Sequence, residues 1–262
     1  MWEGPGRIRL FVEQDLGAGA AIGLSPERAH YLRSVLRLSA GAHVQLFNGR
    51  DGEWQARLEA LGKGWASCAV ERQIRAQETE PDLWLAFAPI KRARIDFVAQ
   101  KATELGVSAL WPVFTRLTVV GHVNVGRLRA NAIEAAEQCR RLSVPEIFAP
   151  AELGKLLAGW PAERRILLCD ESGAGAPIAE SLQAGGARPA PWAVMVGPEG
   201  GFAADELDRL RKLPIVNAVG LGPRLLRADT AALAALACWQ ALAGDWRGAH
   251  REASSTISLG TR

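Results

Sequence analysis

The 262-residue sequence has no apolar run of the roughly 18–20 residues that a membrane-spanning helix requires. The longest candidate, Thr230 to Gly244, is shorter and alanine-rich, and reads as a buried helix. Met1-Trp2-Glu3-Gly4-Pro5-Gly6 at the start lacks an apolar signal-peptide core, so a soluble, cytoplasmic protein with no membrane partner is expected. Cysteine is scarce. Cys68, Cys139, Cys169 and Cys238 stand far apart, with no CxxC pair and no neighbouring histidine, and each falls in an apolar periodic segment. Buried free thiols are therefore expected rather than disulfides or zinc ligands. His30, His43, His122 and His250 are equally dispersed, so no metal site is expected; His30 reads as a packing residue. There is no Walker lysine motif, which argues against a nucleotide triphosphatase. A dinucleotide fingerprint is missing too: after Gly173-Ala174-Gly175, Pro177 intrudes and Ile178 stands where the third glycine belongs.

Strong net charge is also lacking. At +3 the balance is too mild to indicate nucleic acid by itself, but its distribution is uneven. Residues 89–145 carry 9 Lys/Arg against 4 Asp/Glu, and Arg outnumbers Lys 26 to 5 over the whole chain. Arginine is the better fork for phosphate and the better stacker on bases, though genomic bias also produces such an excess.

What is present divides into two parts. Residues 1–75 read as a small β-rich module, with strands at Arg9–Val12, His43–Asn48, Glu53–Leu61 and Trp65–Ile74 separated by glycine turns. One helix interrupts them, with Ser25 as its cap, Pro26 in the first position and Leu32, Val35 and Leu36 on one face. Short strands at this spacing suggest a compact barrel. Residues 76–82 form a polar, proline-containing linker. From 83 to 245 strands and helices alternate: strands at Leu83–Pro89, Val107–Phe114, Ile166–Cys169, Ala193–Val196 and Ile215–Leu221, helices at Arg92–Leu105, Arg127–Arg141, Ala203–Leu213 and Ala228–Ala243. That rhythm predicts an α/β fold with a parallel sheet covered on both faces. Residues 246–262 read as a polar tail.

Two glycine-rich loops carry the functional signal. Ala193–Val196 runs into Gly197-Pro198-Glu199-Gly200-Gly201, and Ile215–Leu221 into Gly222-Pro223-Arg224-Leu225-Leu226-Arg227, each followed by a helix. The helix and strand between them make an ordinary βαβ crossover, so both loops should leave the same edge of the sheet, where ligands of open α/β sheets bind. Glycine there lets backbone N–H and C=O groups touch a ligand directly.

At these residues the sequence resembles the bacterial 16S ribosomal RNA (uracil-N3) methyltransferases of the RsmE type, in the SPOUT superfamily. The matching segments are GPEGGF (Gly197–Phe202), LGPRLLRADTAAL (Leu221–Leu233), EAAEQCRRLSVPEI (Glu134–Ile147), KRARIDFVAQKATELGV (Lys91–Val107) and HYLRSVLRLSAGAHVQLFNG (His30–Gly49), nearly spanning the chain in family order. The first two are specific as a pair. The resemblance implies an N-terminal PUA-like barrel that helps hold RNA, a C-terminal domain with a deep trefoil knot, a homodimer with the site near its interface, and S-adenosylmethionine as cofactor. Its cofactor residues would be Gly197, Glu199, Gly200, Gly201, Leu221, Gly222, Leu225, Leu226, Arg227 and Thr230, with Leu168 and Cys169 supplying a third wall. Two positions depart from the family pattern: Ala203 replaces the usual capping serine while Glu206 remains, and Asp229 stands where a glutamate is usual.

Uracil N3 must lose a proton before it can attack a methyl carbon, and an arginine beside the imide favours the anion. Arg227 is the first candidate for that catalytic role, with Arg140 or Arg141 second; Glu199 or Asp229 could accept the proton, as could solvent. Lys91, Arg92 and Arg94 oppose the dipole of the helix they open, which a phosphate partner would relieve. They, with Arg7, Arg9, Arg33, Arg37 and Arg141, are the candidate contacts to 16S ribosomal RNA or the small ribosomal subunit. The alternatives are methylation of another RNA, for example at a ribose 2′-hydroxyl, and a non-catalytic RNA-binding protein.

Overall fold

The computed structural model describes residues 8–184 and 191–247. Arg7 and the tail from residue 248 lie outside the described residues. Five N-terminal strands, β1 (Arg9–Phe11), β2 (Ala21–Leu24), β3 (His43–Phe47), β4 (Glu53–Leu61) and β5 (Ala66–Arg75), form one sheet in the order β1-β3-β4-β5-β2. The strand β2 was not expected, because Ile22 is its only β-branched residue. Helix α1 (Pro26–His30) begins as its sequence predicts: the Ser25 hydroxyl accepts the Arg28 N–H, and Pro26 occupies the first turn. It continues into a single π-helical turn, Tyr31–Val35, which points Leu32 into a core with Leu10, Ile22, Val44, Leu46, Leu58 and Val70. His30 is exposed instead of packed.

The second part contains β6 (Leu83–Phe87), α2 (Arg92–Glu104), β7 (Ala109–Phe114), α3 (Val125–Cys139), β8 (Glu146–Ile147), β9 (Ala151–Glu152) and α4 (Leu153–Ala158). It continues with β10 (Arg165–Cys169), β11 (Ala176–Pro177), α5 (Ile178–Ala184), β12 (Trp192–Val196), α6 (Ala204–Arg211), β13 (Val216–Gly220) and α7 (Ala228–Leu242). The strands line up as β11-β13-β10-β12-β6-β7-β8, with β9 beside β7, and every pairing is parallel. The α/β expectation holds. Every residue of β12 is buried, as a strand covered on both faces must be, and so it reads as an unbroken apolar run.

One face of the sheet packs against α2, α3, α5 and α7 through Leu85, Leu110, Leu167, Val194, Val98, Leu128 and Leu236. The other packs against α4 and α6 through Ala86, Ile166, Leu168, Met195, Leu156 and Leu207. Ala231, Ala232, Ala235, Leu236 and Trp239 of α7 are buried within their own chain, so that helix needs no second copy to cover them. All four cysteines are free; Cys68 and Cys169 are buried, Cys139 and Cys238 half-buried. Among the described residues no helix is long and apolar enough to cross a membrane, and no group of His, Cys, Asp and Glu could hold a metal ion.

The two parts are joined along α3. Arg9 forms a buried ion pair with Glu53 and donates from Nη1 to the carbonyls of Ala136 and Glu137 at 2.7 and 2.9 Å, and from Nη2 to Arg141 at 2.6 Å. Glu137 in turn accepts the Phe11 N–H at 2.9 Å and pairs with Arg28 at 2.5 Å. Phe47 packs against Ala136 and Leu142. The orphan carbonyls at the end of a helix need donors, and here the N-terminal sheet supplies them.

Candidate functional site

Because β10, β12 and β13 are mutually parallel neighbours, the loops that follow them leave one edge of the sheet together. These are residues 170–175, 197–203 and 221–227. The expected pair of glycine loops therefore shares a rim, and the loop after β10 lies between them.

Their backbones approach closely where the glycines stand. A Cβ on Gly175 would lie 2.5 Å from the Val219 carbonyl carbon and 2.8 Å from the Gly220 nitrogen. Gly201 has φ +70°, in the left-handed region that favours glycine, and a Cβ there would collide with the Glu171 carboxylate. A Cβ on Gly197 would press on the Phe202 ring at 3.0 Å. In contrast, Gly222, with φ +96°, has nothing within 4 Å of the same point, so its face is open. Among the described residues the backbone N–H groups of Arg224, Leu225, Leu226 and Arg227 have no hydrogen-bond partner in the chain. Leu225 is 83% exposed on this loop, while Leu221 and Leu226 lean on the core.

The loop after β10 is fixed by residues that the sequence reading missed. Asp170, its side chain fully buried, pairs with Arg211 of α6 at 2.5 Å and accepts the Ser172 N–H at 3.0 Å. Burial pushes the Asp170 carboxyl up, but Arg211 and Ser172 outweigh it and hold it below the ordinary aspartate range. Glu171 accepts the Phe202 N–H at 3.3 Å and so ties this loop to the GPEGGF loop. The signal was present: two acids directly after an apolar strand.

Leu168 and Cys169 do not form a side-chain wall. Successive strand residues point to opposite faces, so Leu168 is buried toward α6 and Cys169 toward α7. Burial pushes the Cys169 thiol up to about 12. At the start of α6 the Ala203 N–H donates to Glu206 at 3.2 Å, which keeps the half of the capping box that alanine permits. At the start of α7, Asp229 accepts the Thr230 N–H at 2.9 Å and stands 3.8 Å from Arg94 Nε; Thr230 is exposed. Arg227, the residue before α7, is exposed; its carbonyl accepts the Ala231 N–H, and its guanidinium has no partner among the described residues. Glu199 and Gly200 are exposed, Gly201 buried.

Arg140 is not brought to this rim. It ends α3 at φ 66°, and its carbonyl accepts from Arg75 at 3.0 Å. Arg141 beside it donates to the carbonyls of Thr103 and Val107 at 2.7 and 3.0 Å, just before β7 begins. Both lie at the opposite edge of the sheet, the 15-residue length of α3 away, or about 22 Å at 1.5 Å per residue. Two RNA assignments also need correction: the buried guanidiniums of Arg9 and Arg141 are spent on carbonyls and on Glu53 and Glu80, leaving neither a face for phosphate. Lys91, Arg33 and Arg37 are exposed, with Arg37 at φ 54°. Arg94 is half-buried, and Arg92 belongs to α2.

The model of an RNA methyltransferase domain family matches residues 77–240, and that of an RNA methyltransferase PUA domain matches residues 24–70. A ribosomal RNA small subunit methyltransferase E from Rickettsia conorii is 33% identical over 87% of this chain and 93% of its own. The ribosomal RNA small subunit methyltransferase E of Neisseria gonorrhoeae, crystallised bound to S-adenosylmethionine, superposes with a TM-score of 0.82 at 29% identity, covering 92% of this chain and 99% of that one. A putative methyltransferase from Legionella pneumophila, in complex with the same cofactor, also gives 0.82, at 28% identity over 91% and 99%. With both parts matched and the glycine loops on one rim, this chain belongs to the family of the ribosomal RNA small subunit methyltransferases E.

Proposed function

We propose that this chain uses S-adenosylmethionine to methylate N3 of a uridine in 16S ribosomal RNA, in the cytoplasm and as a homodimer. The single observation that carries the reading is the meeting of three loops at one rim, with free N–H donors and an open Gly222 on the third. The residues fit the cofactor. Free donors ahead of the 15-residue helix α7 suit a carboxylate or a purine edge, and Leu221 and Leu226 suit an adenine face.

When bound, the cofactor supplies an electrophilic methyl carbon on a sulfonium. The chain's contribution is to position the two reactants, an effect worth up to ~7–11 kcal/mol of barrier. Arg227, the last residue of the third loop and with no side-chain partner among the described residues, favours the uracil anion by facing the charge that develops on the imide oxygens. Asp229 is occupied by Arg94 and the Thr230 N–H, so Glu199 or solvent is the better proton acceptor. Lys91, Arg33 and Arg37 hold the RNA backbone without reading bases.

The deep trefoil knot belongs to the same reading. Strand β13 lies between β10 and β11, which precede it and are already joined by residues 170–175. In this reading the returning chain slips under that loop, and the close approach of Gly175 to Val219 and Gly220 supports a crossing there. Such threading is almost absent from proteins. For the N-terminal sheet we propose a PUA-like barrel. Mass-spectrometric nucleoside analysis of 16S ribosomal RNA tests the activity: deleting the gene should abolish 3-methyluridine. Its persistence, or loss of a ribose 2′-O-methyl group instead, would assign another reaction.

A further inference from the structure

Beside the donor rim lies a cavity of about 320 Å³ between the starts of α2 and α3. It opens at the same edge of the sheet, because both helices follow the C-terminal ends of β6 and β7, and β6 adjoins β12. Ile95, Val123 and Leu128 give it apolar walls, and Asp96, Arg127 and His122 give it polar ones. Arg127 is held rigidly: its Nε donates to both Asp96 oxygens at 2.9 Å and its Nη2 to one at 2.6 Å. Asn131 donates to the same carboxylate at 2.9 Å. The guanidinium therefore has a fixed plane, and its Nη1 makes none of these bonds. His122 is exposed without a partner among the described residues.

One segment links this cavity to the glycine loops. Residues 115–124, between β7 and α3, touch both. Arg116 donates its N–H to Glu206 at 3.0 Å and pairs with Asp205 at 2.5 Å, both on α6. Leu117 lies 3.6 Å from where a Cβ of Gly200 would stand. A few residues further on, Val120, His122 and Val123 line the cavity, and between them and Leu117 the side chain of Val119 is 92% exposed.

We propose that this cavity receives the pyrimidine base of the RNA strand that is to be methylated. The inference rests on the methyl-transfer reading above and gives it an acceptor site. A base taken out of its stack needs apolar faces above and below, and a few fixed donors for its carbonyl oxygens. Ile95, Val123 and Leu128 provide the first, and Nη1 of the fixed Arg127 guanidinium, with His122, provides the second. Val119, next in sequence to the lining residue Val120 and 92% exposed, is an apolar side chain that can replace the base's lost stacking partner. Lys91, exposed next to Ile90 of the cavity wall, is placed for the adjoining phosphate. Strands in a sheet are ~4.8 Å apart, so a base here lies within one or two strand spacings of the GPEGGF loop.

The test uses the full-length protein with an RNA fragment carrying the target uridine. Val120→Trp enlarges a lining residue so that it fills the cavity, and Arg127→Lys keeps a cation beside Asp96 while removing the planar guanidinium. Both should raise KM for RNA at least tenfold while the Kd for S-adenosylmethionine, by calorimetry, stays within twofold. Arg127→Lys changes an exposed side chain and settles the matter if the tryptophan variant fails to fold. Wild-type KM and kcat in a folded variant would overturn the acceptor site and leave the methyl-transfer reading standing. So would conversion of Val120→Trp to a monomer, which would assign the cavity to a second copy. Absence of methylation and of cofactor binding in the wild type would instead remove the reading beneath it.

Discussion

Replacing Gly175 by alanine probes the crossing of the 170–175 loop over β13. The added Cβ would stand 2.5 Å from the Val219 carbonyl carbon and 2.8 Å from both the Gly220 nitrogen and Val219 Cα. Ordinary carbon contacts lie at about 3.5–4.0 Å, so the crossing has to open by about 1 Å. All three atoms are backbone, and no side chain can swing away to absorb the clash. Overpacking of this kind costs about 1–3 kcal/mol. Opening also strains the short ladder that pairs Ala176 with Val219 and Pro177 with Gly220, where one lost hydrogen bond costs about 1 kcal/mol. The sum is about 2–4 kcal/mol; at about 2–4 °C per kcal/mol for a chain of this size, Tm should fall by about 4–16 °C. Circular dichroism measures this, with calorimetry of the cofactor alongside, and affinity should fall because two of the three rim loops shift. Gly17→Ala, with nothing within 4 Å of its added carbon, is the control. If both variants melt alike and bind alike, the close crossing is not a feature of the folded protein.

Arg9→Ala should cost about 3–5 kcal/mol in urea unfolding, because it leaves the buried Glu53 carboxylate with only Arg75, 3.7 Å away, and three carbonyls at the α3 end without a donor; a loss under about 1 kcal/mol would mean the seam is not held by this side chain. Arg227→Ala should lower kcat by about 100-fold or more, the scale of losing one charge-stabilising donor, while cofactor Kd stays within a few-fold; retained turnover would reject its role. Asp170 titrates below its ordinary value of 3.8 in the folded chain, so its pairing with Arg211 contributes in full above that value and fades as pH falls through the lowered one. Asp170→Asn should therefore flatten the acid limb of a Tm-against-pH curve; an unchanged limb would place the acid sensitivity elsewhere.

The parallel sheet and its glycine rim were legible because β10, β12 and β13 are apolar runs and because GPEGGF and LGPRLLR each break a strand abruptly. Other features left no such trace. The strand β11 is an Ala-Pro pair that only acquires meaning when β13 arrives beside it. Short α4, with Gly154 in its first turn, has too few residues to show a helical period. Arginine was the hardest residue to place. Arg9, Arg141 and Arg227 look alike in sequence, yet two are buried on carbonyls and one is exposed at the end of the third loop. The difference is set by helix termini, the α3 end for Arg9 and the α2 end for Arg141, whose unpaired carbonyls demand donors and draw in the nearest cations. The cavity beside Asp96 and Arg127 was invisible for a related reason: its walls come from two helices and a loop that only the fold assembles.

Hydrogen exchange of the full-length protein, with and without S-adenosylmethionine, tests most directly whether the three loops after β10, β12 and β13 hold the methyl donor. The cofactor should slow exchange in residues 170–175, 197–203 and 221–230 and leave the N-terminal sheet unchanged. Protection confined to the far edge of the sheet around Arg140, or none at saturating cofactor, would contradict that assignment.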